Sequence, residues 1–281
     1  MSVRIVTDSC SDLTSALAQE LNISVVPLSV IFGEEAYKEG KEITHDLFYE
    51  RLPKSNPLPT TSAPSVGDFL ETYREVLKET DEIISIHISS KLSATYSNAC
   101  QAAAVLADEG AKIEVIDSES VSIAMAFLAA RASRLASAGG TIEDIRKELQ
   151  GMVPRLHVYI VLDTLEYVRR GGRIGRARAF LGTILRVKPI LSIHDGEVHP
   201  EERVRTRAHA LERVFQLATS FPSVEAIGVA YSTNAEEAET MKHRLEGAID
   251  GVKATVARLG PVIGVHGGPG VLGIGILEGE H

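Results

Sequence analysis

The chain has 281 residues, 44% of them hydrophobic and 24% charged, with no Trp and a formal net charge of −9. Such a length buries a large core and commonly divides into two domains, filled here by Ala, Val, Ile and Leu rather than by aromatic rings. The acidic balance argues against general nucleic-acid binding, which requires neutralised phosphates, and against docking on anionic membranes. Arg4–Thr7 reads as a buried strand ending at Asp8-Ser9, and Asp12 as the cap of a helix over Leu13–Leu21. Ile23–Phe32 is expected as a second strand and Gly33 to Gly40 as a projecting hairpin. Thr44 caps a short helix through Leu52.

Next comes Pro59-Thr60-Thr61-Ser62-Ala63-Pro64-Ser65. Two prolines fix φ around a run of uncharged hydroxyls, each able to donate to and accept from an oxygen ligand. Ser65 reads as an N-cap, with Asp68 three residues on and an apolar stripe of Val66, Phe69, Leu70, Tyr73, Val76 and Leu77. Hydroxyls and helix N–H groups at this place suit an anion. A plain Ser/Thr turn capping a helix fits the same residues.

Ile83–Ile88 reads as a strand, Ser93 to Ala107 as a helix and Ile113–Ile116 as a strand closing on Asp117-Ser118. An Ala-rich helix follows from Ser120 to Ala138. Strands alternating with helices imply a largely parallel sheet, whose ligands bind beyond the strands' C-terminal ends. Asp8-Ser9, Ser89–Ser93 and Asp117-Ser118 are therefore expected to share one rim. Thr141 caps a helix to Met152 that connects the two domains, placed at 1–150 and 151–281.

The second domain reads as mixed α/β. It takes strand His157–Leu162, a helix from Thr164, a basic glycine turn and a helix to Arg186. A hairpin of Lys188–Ile193 and Val198–Arg203 follows around Asp195-Gly196. Helix Thr206–Phe221, strand Ala226–Ala230, helix Ala235–Leu245 and strands Ala254–Arg258 and Val271–Leu277 complete it. No apolar run reaches the length of a membrane span. The N-terminus shows no signal-peptide pattern, and Cys10 and Cys100 make neither CxxC nor zinc spacing. A soluble, cytoplasmic chain with reduced thiols and no metal is expected.

Enzyme signatures are weak. Gly268 to Gly273 fits GxGxxG by letter, but too little chain follows for a dinucleotide fold, and there is no Walker loop, HExxH or GxSxG elbow. Ser93, His266 and Asp8 supply the residue types of a hydrolase triad, so a serine hydrolase of acyl esters stands as the alternative reading. Arg170, Arg173, Arg176 and Arg178 lie in a stretch with no acidic residue from Tyr167 to Lys188, a local excess that suits an anion or an acidic partner.

Val6-Thr7-Asp8-Ser9, the Thr60-Thr61-Ser62 loop, Ser89 to Ser97, Tyr167 to Gly175 and Gly264-Val265-His266-Gly267-Gly268-Pro269-Gly270 recur in order along nearly the whole chain. With these motifs the chain resembles the DegV family of fatty-acid-binding proteins. The resemblance implies a lipid carrier rather than an enzyme, without cofactor. It implies one long-chain fatty acid such as palmitate, with its carboxylate held between the domains by Thr61, Ser62 and Ser93, joined by His266 and Arg203. It further implies presentation of the acid to a partner fatty acid kinase for acyl phosphate formation, serving phospholipid synthesis; the basic stretch, with Arg170, Arg173 and Arg176, is expected as the surface that docks that kinase. Two departures from the family pattern are Lys91 or Ala94 where Gly is common, and Gly267-Gly268 where Thr often precedes the second Gly.

Overall fold

The computed structural model describes residues 3–182 and 187–280. β1 (Arg4–Asp8) carries Ile5-Val6 and is buried on both faces, as a parallel strand between helix layers is. Thr14 caps α1 (Ser15–Glu20), its hydroxyl accepting from the Leu17 N–H. Asp12, expected as that cap, instead has left-handed backbone at φ 53° and turns its carboxyl to Gly260 and Ser122. The expected second strand is two, β2 (Ile23–Val26) and β3 (Ser29–Phe32), since Pro27 between them has no N–H for a ladder.

Gly33-Glu34 turns β3 into β4 (Glu35–Lys38), as the hairpin reading expects. Thr44 caps α2 (His45–Arg51). The hydroxyl stretch is not all loop, because β5 (Thr60–Ser62) pairs with β3 and sets Thr61 opposite Val30. Ser65 and Asp68 close a reciprocal capping box on α3 (Val66–Val76). β6 (Glu82–His87), α4 (Thr95–Ala107), β7 (Lys112–Asp117), α5 (Ile123–Ser137) and α6 (Ile142–Met152) follow. Thr141 and Asp144 make a second capping box before α6.

β8 (Leu156–Val161) and the short α7 (Glu166–Arg170) lead to the basic glycine turn. Gly175–Phe180 is a 3₁₀ segment, and the rest of the helix expected to reach Arg186 falls largely on residues 183–186, outside the described residues. β9 (Lys188–His194) and β10 (Glu197–Val204) form the expected hairpin, with Asp195 and Gly196 both at positive φ. α8 (Arg207–Ala218), β11 (Val224–Tyr231), α9 (Ala235–Ala248) and β12 (Thr255–Arg258) come next. α10 (Pro261–Gly267) begins with proline at its first turn, where no N–H is needed. β13 (Leu272–Glu278) ends the fold.

The protein is mixed α/β. A parallel sheet runs β2-β1-β6-β7, a mixed sheet runs β10-β9-β8-β13-β11-β12, and β4-β3-β5 form a small antiparallel sheet. The Ala-rich α5 lies between the two large sheets, packing on β1 and β6 of one and on β11 and β13 of the other. Its Ala124, Ala129 and Ala132 are fully buried, and such small side chains let both sheets approach the helix closely. Residues of both sheets and of α5 therefore share one continuous core. Separate clusters lie under α8 and α9 and under α3 and α4.

Candidate functional site

A cavity of about 480 Å³ opens inside that shared core, within the size range of small-molecule sites. The parallel sheet contributes the turns after β1 and β6, bringing Cys10, Ile88, Leu92 and Ser93 to the wall. The mixed sheet contributes a face of Val158, Ile160, Leu191, Ala230 and Gly273. β5 adds Thr61 and α10 adds Ile263 and His266. Most of this lining is aliphatic, so its affinity is for hydrocarbon.

The polar groups of the wall are linked by direct contacts. Thr61 Oγ1 lies 2.9 Å from His266 Nε2. Gly171 packs against the same imidazole so closely that a Cβ there would fall 2.1 Å from His266 Nδ1. A side chain at 171 would push the ring away from Thr61, which gives the basic glycine turn a physical reason. Arg173 follows in that turn, donating from Nε to the Leu92 carbonyl at 3.1 Å and from Nη1 to the Gly171 carbonyl at 2.8 Å. Ser93 Oγ lies 2.8 Å from Thr95 Oγ1 and accepts from the Thr95 N–H at 3.3 Å, so it serves the start of α4 from two residues before its first helical residue. Asn98 donates to the Pro64 carbonyl at 2.8 Å, tying α4 to the hydroxyl stretch. Burial, reinforced by the Arg173 charge, lowers the His266 pKa to about 4, so the ring is neutral at pH 7.

Thr61, Ser62, Ser93 and His266 thus all line one cavity. Ser62 is exposed at its edge and donates to the Ala63 carbonyl. Arg203 is not among the lining residues. It is exposed on β10 with its guanidinium 4.8 Å from the centre of the Phe180 ring. Arg173, read from sequence as part of a docking surface, is instead half-buried in the wall. Arg170 pairs with Glu166 and Arg176 with Glu197, so two charges of the basic stretch have acidic neighbours that lie just outside it in sequence. Asn98 was not singled out from sequence. Its one signal is its place one turn into the helix that follows Ser93.

The rim expected of three hydroxyl turns is only partly formed. Ser93 faces the cavity, while Ser9 accepts from the Leu28 N–H and Ser118 donates to the Ser120 carbonyl. Asp117 accepts from the Ser90 and Glu119 N–H groups and so holds its own turn. The triad of Ser93, His266 and Asp8 is not assembled. Asp8 is fully buried and accepts from the Cys10 and Ile88 N–H groups, with His87 Nδ1 at 3.0 Å, whereas His266 meets Thr61. Ser85, His87 and Asp8 do stand in triad order, and Tyr73 donates to Ser85 at 2.8 Å. All three are 0% exposed, which closes that chain to any substrate.

A pair of carboxyls holds the far end of α10. Asp12 accepts from the Gly260 N–H and Glu39 from the Val262 N–H, each at 2.8 Å. Burial raises the Asp12 pKa to about 7 and the Glu39 pKa to about 8. The Tyr49 hydroxyl donates to the Leu259 carbonyl at 3.0 Å beside them. The helix that carries His266 is thereby fastened at its start by side chains from α2 and from the turns after β1 and β4. Among the described residues, no group of three or more His, Cys, Asp and Glu is placed to hold a metal ion, and no helix is long and apolar enough to cross a membrane.

The model of a family described as DegV matches residues 2–279. A DegV domain-containing protein of Halalkalibacterium halodurans is 39% identical over 277 residues, which is 97% of each chain. The structure of a DegV family protein from Thermus thermophilus, described with its fatty-acid binding, superposes with a TM-score of 0.90 at 34% identity, covering 99% of this chain and 100% of that one. A stearic-acid-binding protein from Eubacterium ventriosum gives a TM-score of 0.90 at 29% identity, covering 98% of each chain. Family match, similarity in sequence and shared architecture run over nearly the full length, and the chain belongs to the DegV family.

Proposed function

We propose that this protein binds one long-chain fatty acid, palmitate or a near relative, with the tail in the core cavity and the carboxylate at Thr61, Ser62, Ser93, His266 and Arg173. The observation that carries this reading is the Thr61–His266 contact, with Arg173 beside it, in the wall of an otherwise aliphatic cavity. In this arrangement the neutral imidazole donates from Nε2 to Thr61 Oγ1. That leaves the Thr61 hydroxyl proton for a carboxylate oxygen, and the Arg173 charge balances the anion. Burial of about fourteen methylenes contributes ~11 kcal/mol before ordering costs of several kcal/mol. Charge-assisted hydrogen bonds add about 1.5–3 kcal/mol each. The tail supplies most of the affinity and the hydroxyls set register. The fatty-acid binding described for the T. thermophilus relative and the stearic-acid binding of the E. ventriosum one support a fatty acid as the ligand here.

The carrier role extends to a partner: a fatty acid kinase in the cytoplasm receives the bound acid and makes the acyl phosphate used in phospholipid synthesis. Arg170 and Arg176, exposed on the glycine-turn segment next to Arg173, suit an acidic partner surface. Residues 1–150 and 151–281 are taken as the two domains. The allocation of strands supports this, since β1 to β7 precede the cut and β8 to β13 follow it. Mass spectrometry of solvent extracts from the purified protein tests the reading. One saturated or monounsaturated long-chain acid per chain is expected, and delipidated protein that takes up none would refute it.

A further inference from the structure

We propose that Gly273, with Ile123 as the neighbouring wall, sets how long an acyl chain the cavity accepts; this rests on the fatty-acid reading above. The inference comes from two adjacent rows across the mixed sheet. In the first, Val158, Gly275 and Gly228 are paired side by side. In the second, Ile160, Gly273 and Ala230 are paired in the same way, two residues along each strand and so on the same face.

The two rows are treated differently by α5. Ile123 lies directly on the first row: a Cβ at Gly228 would fall 2.3 Å from Ile123 Cδ1, and one at Gly275 would fall 2.6 Å from Ile123 Cγ2. Those glycines exist to admit the helix. Gly273 has no such cover. Among the described residues a Cβ built there meets only the Tyr159 carbonyl oxygen, at 3.7 Å, although the residue is buried in one of the two central strands of a six-stranded sheet. Glycine in a strand interior weakens the strand and often marks a close approach by a ligand or another backbone. Among the described residues no backbone or side chain takes the space, and Gly273, Ile160 and Ala230 all line the cavity. Gly273 therefore keeps a furrow clear on the sheet, and Ile123 bounds it where the glycines of the next row are already filled.

The geometry separates a length-setting glycine from a packing one. Gly273→Ala and Gly273→Val place methyl groups in the furrow, and Gly228→Ala, packed under Ile123 and outside the cavity lining, serves as the packing control. Affinities of delipidated parent and variants are measured for dodecanoate and hexadecanoate, with melting temperature as the readout of folding. Each methylene that can no longer be buried weakens binding about fourfold, so the four that separate the two acids are worth on the order of 10²-fold in the parent. Gly273→Val is expected to lose most of that preference while keeping dodecanoate affinity, with Gly273→Ala intermediate. Gly228→Ala is expected to lower the melting temperature and keep the parent's ratio. An unchanged ratio in folded Gly273→Val overturns the proposal, and Gly273→Ala decides in the same way if the valine variant does not fold. A parent that binds neither acid refutes the fatty-acid reading itself, a separate outcome.

Discussion

Thr61 and His266 meet at 2.9 Å across 205 positions of sequence, one on a three-residue strand and the other on a seven-residue helix. Neither element has much stability of its own, so their register depends on what fastens them. β5 is held by β3, and α10 by Asp12, Glu39 and Tyr49. Thr61→Val keeps the strand-forming shape and deletes the hydroxyl. It is expected to weaken hexadecanoate about 10-fold or more, as loss of one hydrogen bond to a charged group does, with little change in melting temperature. Binding of hexadecanol, which has no carboxylate, should change far less. Equal losses for acid and alcohol would detach Thr61 from the head group.

Two sets of buried groups give opposite slopes of stability against pH. Asp12 and Glu39 have folded-state pKa values raised to about 7 and 8, so the native protein holds protons that the unfolded chain releases above about pH 4. Their contribution falls as pH rises from about 4 to 8. His266 is depressed to about 4, so the unfolded chain binds a proton there that the native state refuses, and its contribution falls as pH drops from about 6.5 to 4. Denaturation across this range should show Asp12→Asn and Glu39→Gln gaining stability toward neutral pH, and His266→Asn flattening the acid side.

Arg173 should behave unlike its sequence neighbours. From sequence alone its charge reversal would spare fatty-acid binding. Its position in the cavity wall reverses that expectation. Arg173→Met is expected to weaken hexadecanoate markedly, while Arg170→Glu and Arg176→Glu leave binding intact and slow acyl phosphate formation with purified kinase. Binding assays on all three variants, run beside the coupled assay, check the division.

The buried chain Tyr73–Ser85–His87–Asp8 should matter to stability alone. His87→Ala leaves Asp8 and Ser85 with unmade hydrogen bonds in a sealed interior, at a cost of about 2–4 kcal/mol. A fluorophosphonate probe is expected to label neither Ser85 nor Ser93, and chemical denaturation measures the loss.

Much of this was legible because local chemistry and global fold agree. Capping boxes at Ser65 and Thr141, the turn at Asp195-Gly196 and the alternation of strands with helices each have a short-range cause. The misses had long-range causes. Asp12 has the residue type of a cap, but Gly260, 248 positions away, is what it binds. Pro27 was visible, yet only the pairing of β3 with β5 shows that the chain leaves one sheet for another there. Periodicity cannot tell that Arg173 turns inward while Arg203 stays outside. The role of Gly273 depends on what is absent above it, which no spacing in the sequence encodes.

The cavity is bounded by the same continuous core that joins the two large sheets through α5. A hydrocarbon chain lodged there would be an interior packing element contributed from outside the polypeptide. Stability would then track acyl supply by mass action, gaining about 2.7 kcal/mol at a hundredfold excess over the dissociation constant. A cell short of free fatty acid would hold a hollow, softer form of the protein, more readily degraded, and the abundance of the carrier would follow the abundance of its cargo.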